Sequence, residues 1–123
     1  MSPERASKFR QAAMFYLLVG VVYEGAVFVA WRSGFAPTDR GPVALWLAIG
    51  ALVLGAIIWG LWAWRNPWLA RVLLVLNAGR VIAVMAPAFV SNAGRGFTPA
   101  FYQLETVMLL INMWMLARAG WDL

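Results

Sequence analysis

The 123-residue chain contains no cysteine and no histidine. Without cysteine there is no disulfide, no thiolate metal site, no iron–sulfur cluster and no thiol nucleophile. Without histidine the usual haem ligand, the commonest zinc ligand and the most frequent general base are missing as well. No metal or cofactor is expected, and acid–base chemistry is left to carboxylates, tyrosines and arginine. Charge is also scarce: 12% of the residues are charged, against about 25% in an ordinary soluble domain. No stretch remains for a soluble domain beside the apolar segments.

Apolar residues make up 63% of the chain, and the mean hydropathy is +0.74. They fall into four segments, 9–31, 42–64, 67–90 and 99–117, each long enough for a hydrocarbon core that needs about 20 helical residues. RSGFAPTDRG, RNP and SNAGRGFTP separate them. Ser2–Pro3, Asn66–Pro67 and Thr98–Pro99 each put a capping side chain before a proline suited to a first helical turn, and Gly41–Pro42 is a weaker version. The reading is an all-α, polytopic integral membrane protein: a single domain, 1–123, built as a four-transmembrane-helix antiparallel bundle. The first segment has a basic start, but it is long, carries Tyr16, Tyr23 and Glu24, and ends at FVAWRSG without a small-x-small cleavage site. It is expected to be a retained helix.

The net charge of +5 does not imply nucleic acid, because the basic residues lie at segment ends and form no patch with interleaved aromatics. They read as topology signals. Arg5, Lys8, Arg10, Arg65, Arg71 and Arg118 fall on one side, and Arg32, Arg40 and Arg95 on the other, which places both termini in the cytoplasm. The expected location is the cell membrane, with Trp31, Trp64, Trp68 and Trp121 near its boundaries. In the second segment Ala44, Ala48, Ala51 and Gly55 form a stripe of small residues that lets another helix approach closely, from this chain or from a second copy.

Among the polar residues inside the apolar segments, Glu24, Asn77, Arg80, Glu105 and Asn112 stand out. At a helical rise of about 1.5 Å per residue, Glu24 lies about 21 Å from the inner face and Arg80 about 18 Å. Glu105, on a descending helix, lies about 20 Å from the same face. Three charges from three helices therefore share one level. Asn77 sits one turn below Arg80, and Asn112 shares a helix face with Glu105, so the amides match in depth too. Tyr102 lies one turn above Glu105, and Tyr23 adjoins Glu24 in sequence. A lone mid-membrane charge costs about 2.5–3.5 kcal/mol on insertion scales, so pairing of Arg80 with carboxylates is the first expectation. Two carboxylates against one arginine leave a net negative charge, which a shared proton would neutralise. Pro87 should also break the helical ladder one turn above Arg80.

Three functions fit. In the first, Glu24, Arg80 and Glu105, with Tyr23, Asn77, Tyr102 and Asn112, form a proton-linked site of a small transporter or binding protein for a small or lipophilic ligand. The chain's size, four segments and first-helix carboxylate resemble the topology of small multidrug resistance transporters; the resemblance implies no residue roles. In the second, Glu24, Arg80 and Glu105 are catalytic in a membrane-embedded enzyme for epoxide opening, cyclisation or isomerisation of a terpenoid or sterol-like substrate. Acid–arginine–acid with tyrosine and asparagine is similar in kind to the site of limonene-type epoxide hydrolases, and membrane-embedded terpene cyclases likewise use paired acids. In the third, the protein is an accessory subunit of a membrane complex, and the charges only tie helices together.

Overall fold

A computed structural model describes residues 2–32, 43–90 and 98–123. The RSGFAPTDRG and SNAGRGFTP connections (apart from Arg32 and Thr98–Pro99), the Gly41–Pro42 start and the Trp31 side chain lie outside the described residues. What is described is all-helical: α1 (Pro3–Arg32), α2 (Val43–Trp59), α3 (Pro67–Met85) and α4 (Pro99–Trp121). A π-helical turn, Gly60–Trp64, closes α2, and another, Ala86–Val90, closes α3.

The helix starts use the side chains the sequence placed there. Ser2 Oγ accepts from the Arg5 amide, Asn66 Oδ1 from Trp68 and Thr98 Oγ1 from Phe101, satisfying amides that have no intrahelical partner. After the π turn, Arg65 adopts a left-handed conformation (φ 54°) and its amide donates to the Gly60 carbonyl at 2.8 Å, which reverses the chain into α3. At Pro87 the α-helical ladder gives way to the second π turn, where Gln103 Nε2 from α4 donates to the Ala88 carbonyl at 3.0 Å. A polar side chain from a neighbour thus serves a carbonyl within the disrupted turn.

All four helices are long and apolar enough to cross a membrane, which points to a multi-pass membrane protein. Their burial pattern is that of a lipid-facing surface. Leu52 and Ile82 are 76% and 74% exposed, while Asn77, Glu105, Thr106 and Asn112 are buried. Close packing and polar contacts, rather than exclusion of water, then hold such helices together.

The packing is uneven along the molecule. Near the chain ends Phe9, Leu61, Leu73 and Leu116 form one core to which every helix contributes. Further along, Val81, Val84 and Leu109 form a second core, joined by Val19 but by nothing from α2. α4 touches both α1 and α3, and α2 rests on α1. Among the described residues no Cα of α2 comes within 8 Å of one in α3, and contact between them passes through the Gly60–Trp64 turn. α2 and α3 therefore diverge from their short connection and leave a gap open to the side.

The face α2 turns to α1 is not the small-residue stripe. Gly20 and Gly50 make that contact reciprocally: a Cβ at residue 20 would collide with the Leu54 side chain, and one at residue 50 with the Glu24 carboxylate. Ala44, Ala48, Ala51 and Gly55 are exposed, and no atom of the described residues would meet a Cβ at Gly55.

Arginines close the end where α1 begins and α4 finishes. Arg5 donates to the Ala119 and Gly120 carbonyls at 3.2 and 3.0 Å, and Arg71 to Gly120 at 3.1 Å, capping α4 at its negative dipole end. The Arg71 guanidinium also lies over the rings of Trp68 and Trp121, at 4.9 and 5.0 Å. Lys8 Nζ donates to Asp122 Oδ1 at 2.9 Å, and this bond holds the Asp122 carboxyl below the usual carboxylate range. A carboxyl depressed in the folded state adds stability above its unfolded value, about pH 4, and loses it as pH falls through the folded value. Asp122→Asn is therefore expected to lower the melting temperature slightly at neutral pH and to leave it unchanged near pH 2, so that the acid limb between about pH 5 and about pH 2 flattens.

Candidate functional site

Arg80 is the centre of the polar interior. It projects from α3, and both Nε and Nη2 donate to Glu105 Oε1 on α4, at 3.0 and 2.8 Å. The Glu105 side chain is 7% exposed and that of Arg80 46%, so the pair has one buried and one open end. The Tyr23 ring of α1 lies against the guanidinium, 4.6 Å from its centroid, in cation–π geometry. Glu105 Oε2 is buried without a hydrogen-bond partner among the described residues.

A second polar layer lies below. Asn112, fully buried on α4, donates from Nδ2 to Asn77 Oδ1 at 3.1 Å. Asn77 donates in turn to the Leu73 carbonyl at 2.7 Å and to Tyr16 Oη on α1 at 3.3 Å. The chain Asn112–Asn77–Tyr16 links α4, α3 and α1. It fixes the register of these helices much as buried amides do elsewhere in membranes.

Glu24 stands apart from both layers. Its carboxylate rests on α2 at Gly50, and among the described residues it has no ion pair and no hydrogen bond. It lines a cleft of about 340 Å³ in the gap between α2 and α3, with Tyr16, Tyr23, Gly50, Leu54 and Arg80. The Arg80 guanidinium reaches this cleft with its charge already met by Glu105 and its face covered by Tyr23. The cleft thus holds a fixed cation that is already paired and a carboxylate that is not.

Glu105 lines a different space, a void of about 10 Å³ between α1 and α4 bounded by Val19, Val22, Tyr23, Phe101, Leu104 and Met108. That is about the smallest volume that admits a single water. Tyr102 packs beside the second core, edge-on to Phe101 at 5.8 Å, and accepts at its carbonyl from Thr106 Oγ1. It lines neither space.

Of the seven residues the sequence singled out, Arg80 meets Glu105 and Tyr23, and Asn77 meets Asn112. Glu24 shares a cleft with Arg80 without pairing to it. Tyr16 and Gly50 are the site residues that sequence reasoning missed. Tyr16, Gly20, Tyr23 and Glu24 recur at helical spacing on one face of α1, a signal that would have found the first of them. Compared with known protein families, curated proteins and solved structures, the chain matches none.

Proposed function

We propose that the chain is a small membrane binding protein or transporter that takes a lipophilic cation into the cleft beside Glu24 in exchange for a proton. In this reading the helices form an antiparallel bundle in the cell membrane with both termini cytoplasmic. The observation that carries it is the Glu24 carboxylate, which stands on the wall of an open cleft with no partner among the described residues. Arg80 and Glu105 cancel each other, so the site as a whole is left with the single negative charge of Glu24. An unpaired charge in a low-dielectric setting is costly, and either a proton or a bound cation relieves it. The two compete for the same group. The cleft volume falls within the usual range of about 300–1,000 Å³ for small-molecule sites, and Tyr16 and Tyr23 add aromatic surface.

Two-carboxylate chemistry on a lipophilic substrate fits less well, since Glu24 and Glu105 line separate spaces. The structural-tie reading suits Glu105, Asn77 and Asn112, which join α4 to α3, but it gives Glu24 nothing to do.

The test compares two probes of matched shape and opposite charge. Titration calorimetry of the purified protein in lipid nanodiscs is expected to show tetraphenylphosphonium binding that weakens as pH falls, and no tetraphenylborate binding. Borate binding alone would make Arg80 the ligand group, and binding of neither would remove the cleft as a site. Gly50→Ala is expected to weaken cation binding severalfold while leaving thermal stability nearly unchanged. The added methyl displaces only the flexible end of Glu24, as the same calorimetry together with a melting curve would show.

A further inference from the structure

At the end of the molecule where the helices converge, a second and larger concavity faces outward. It is a groove of about 660 Å³ between α1, the Gly60–Trp64 turn and α4. One rim is polar, with Arg10 and Gln11, and the lining then becomes apolar through Met14, Leu18, Trp62 and Met115. From Arg10 to Leu18 the helix rises about 12 Å, so the polarity changes along the membrane normal as it does along a lipid.

The charge at the rim has a definite sign. Arg10 is exposed and, among the described residues, has no hydrogen bond or ion pair. Arg118 Nη1 donates to Gln11 Oε1 at 2.9 Å, which brings a second guanidinium to the same rim. The nearby carboxylate, Asp122, is engaged by Lys8. Two arginines with no acid between them, above an apolar trough, complement a phosphate head and an acyl tail.

We propose that this groove is a binding site for an anionic phospholipid, its phosphate held at Arg10 and Arg118 and one acyl chain laid along Met14, Leu18 and Trp62. The site is separate from the Glu24 cleft and shares no lining residue with it.

Native mass spectrometry from mild detergent, with equal amounts of phosphatidylglycerol and phosphatidylcholine, tests it. The wild-type protein is expected to retain phosphatidylglycerol preferentially. Arg10→Gln should lower that retention about fivefold, leaving phosphatidylcholine and the melting temperature unchanged, since each basic side chain near an anionic head contributes a factor of this size. Arg10→Lys should keep most of the preference. Equal retention of the two lipids by the wild type, or an undiminished preference in Arg10→Gln, would overturn the proposal. Displacement of the lipid by excess water-soluble glycerol phosphate would also overturn it, because the trough would then contribute nothing. Tetraphenylphosphonium binding is expected to be unaffected by Arg10→Gln, which separates this site from the cleft.

Discussion

Glu24→Gln is expected to abolish the pH dependence of lipophilic-cation binding and to weaken binding at neutral pH by on the order of tenfold to a hundredfold, about 1.4–3 kcal/mol. The substitution keeps the shape of the side chain and removes its charge and its titrating proton. Because Glu24 has no ion pair or hydrogen bond among the described residues, nothing in the fold is broken. A substitution that disturbs no contact usually shifts stability by no more than about 0.5 kcal/mol, so the variant should purify and melt like the wild type. In proteoliposomes, accumulation of the cation driven by a pH gradient should disappear in the same variant. Calorimetry, flux and melting curves together then separate a lost ligand group from a lost fold.

Arg80→Met is expected to do the opposite, with stability as its first casualty. Glu105 is buried, one of its oxygens has no partner among the described residues, and the other depends on Arg80 for both of its hydrogen bonds. Removing the guanidinium strands a buried carboxylate, a change that costs about 3–5 kcal/mol where both partners are enclosed. With the Arg80 side chain 46% exposed, the lower end, about 3 kcal/mol, is the expected loss. The double variant Arg80→Met with Glu105→Gln should recover most of it, since neither charge then remains to be buried. Denaturant or thermal unfolding in detergent would measure the cycle. Equal losses in the single and double variants would mean that Arg80 stabilises α3 by its packing alone.

These two results diverge because the three charges the sequence placed at one level play different parts. Their common depth was legible: a helical rise fixes the height of Glu24, Arg80 and Glu105, and the same counting matched Asn77 to Asn112. The Asn66 and Thr98 starts were legible too, since a capping side chain followed by proline has few other uses. Azimuth was not legible. Each helix is apolar around most of its circumference, so no amphipathic stripe tells which way Glu24 points. Its direction is set by contact with Gly50, whose missing Cβ makes room for the carboxylate on α2. The separation of α2 from α3 was equally hidden. A two-residue connection implies neighbours, but the left-handed turn at Arg65 and the π-helical winding before it let the two helices spread apart. The small-residue stripe on α2 was legible only in part for a related reason: it marks a face suited to close approach without saying which helix takes it, and among the described residues of this chain it stays exposed.

The most direct test of the cleft is the reactivity of its carboxylate. A membrane-permeant carbodiimide couples to carboxyl groups that are reachable from an apolar phase and able to carry a proton. Labelling the protein in liposomes, followed by peptide mass spectrometry, is expected to find Glu24 modified and Glu105 spared. Labelling at Glu24 should fall as pH rises and should be blocked by tetraphenylphosphonium. Inert Glu24, or modification of Glu105 to the same extent, would contradict an unpaired acid standing in an open cleft beside an arginine whose charge is already met.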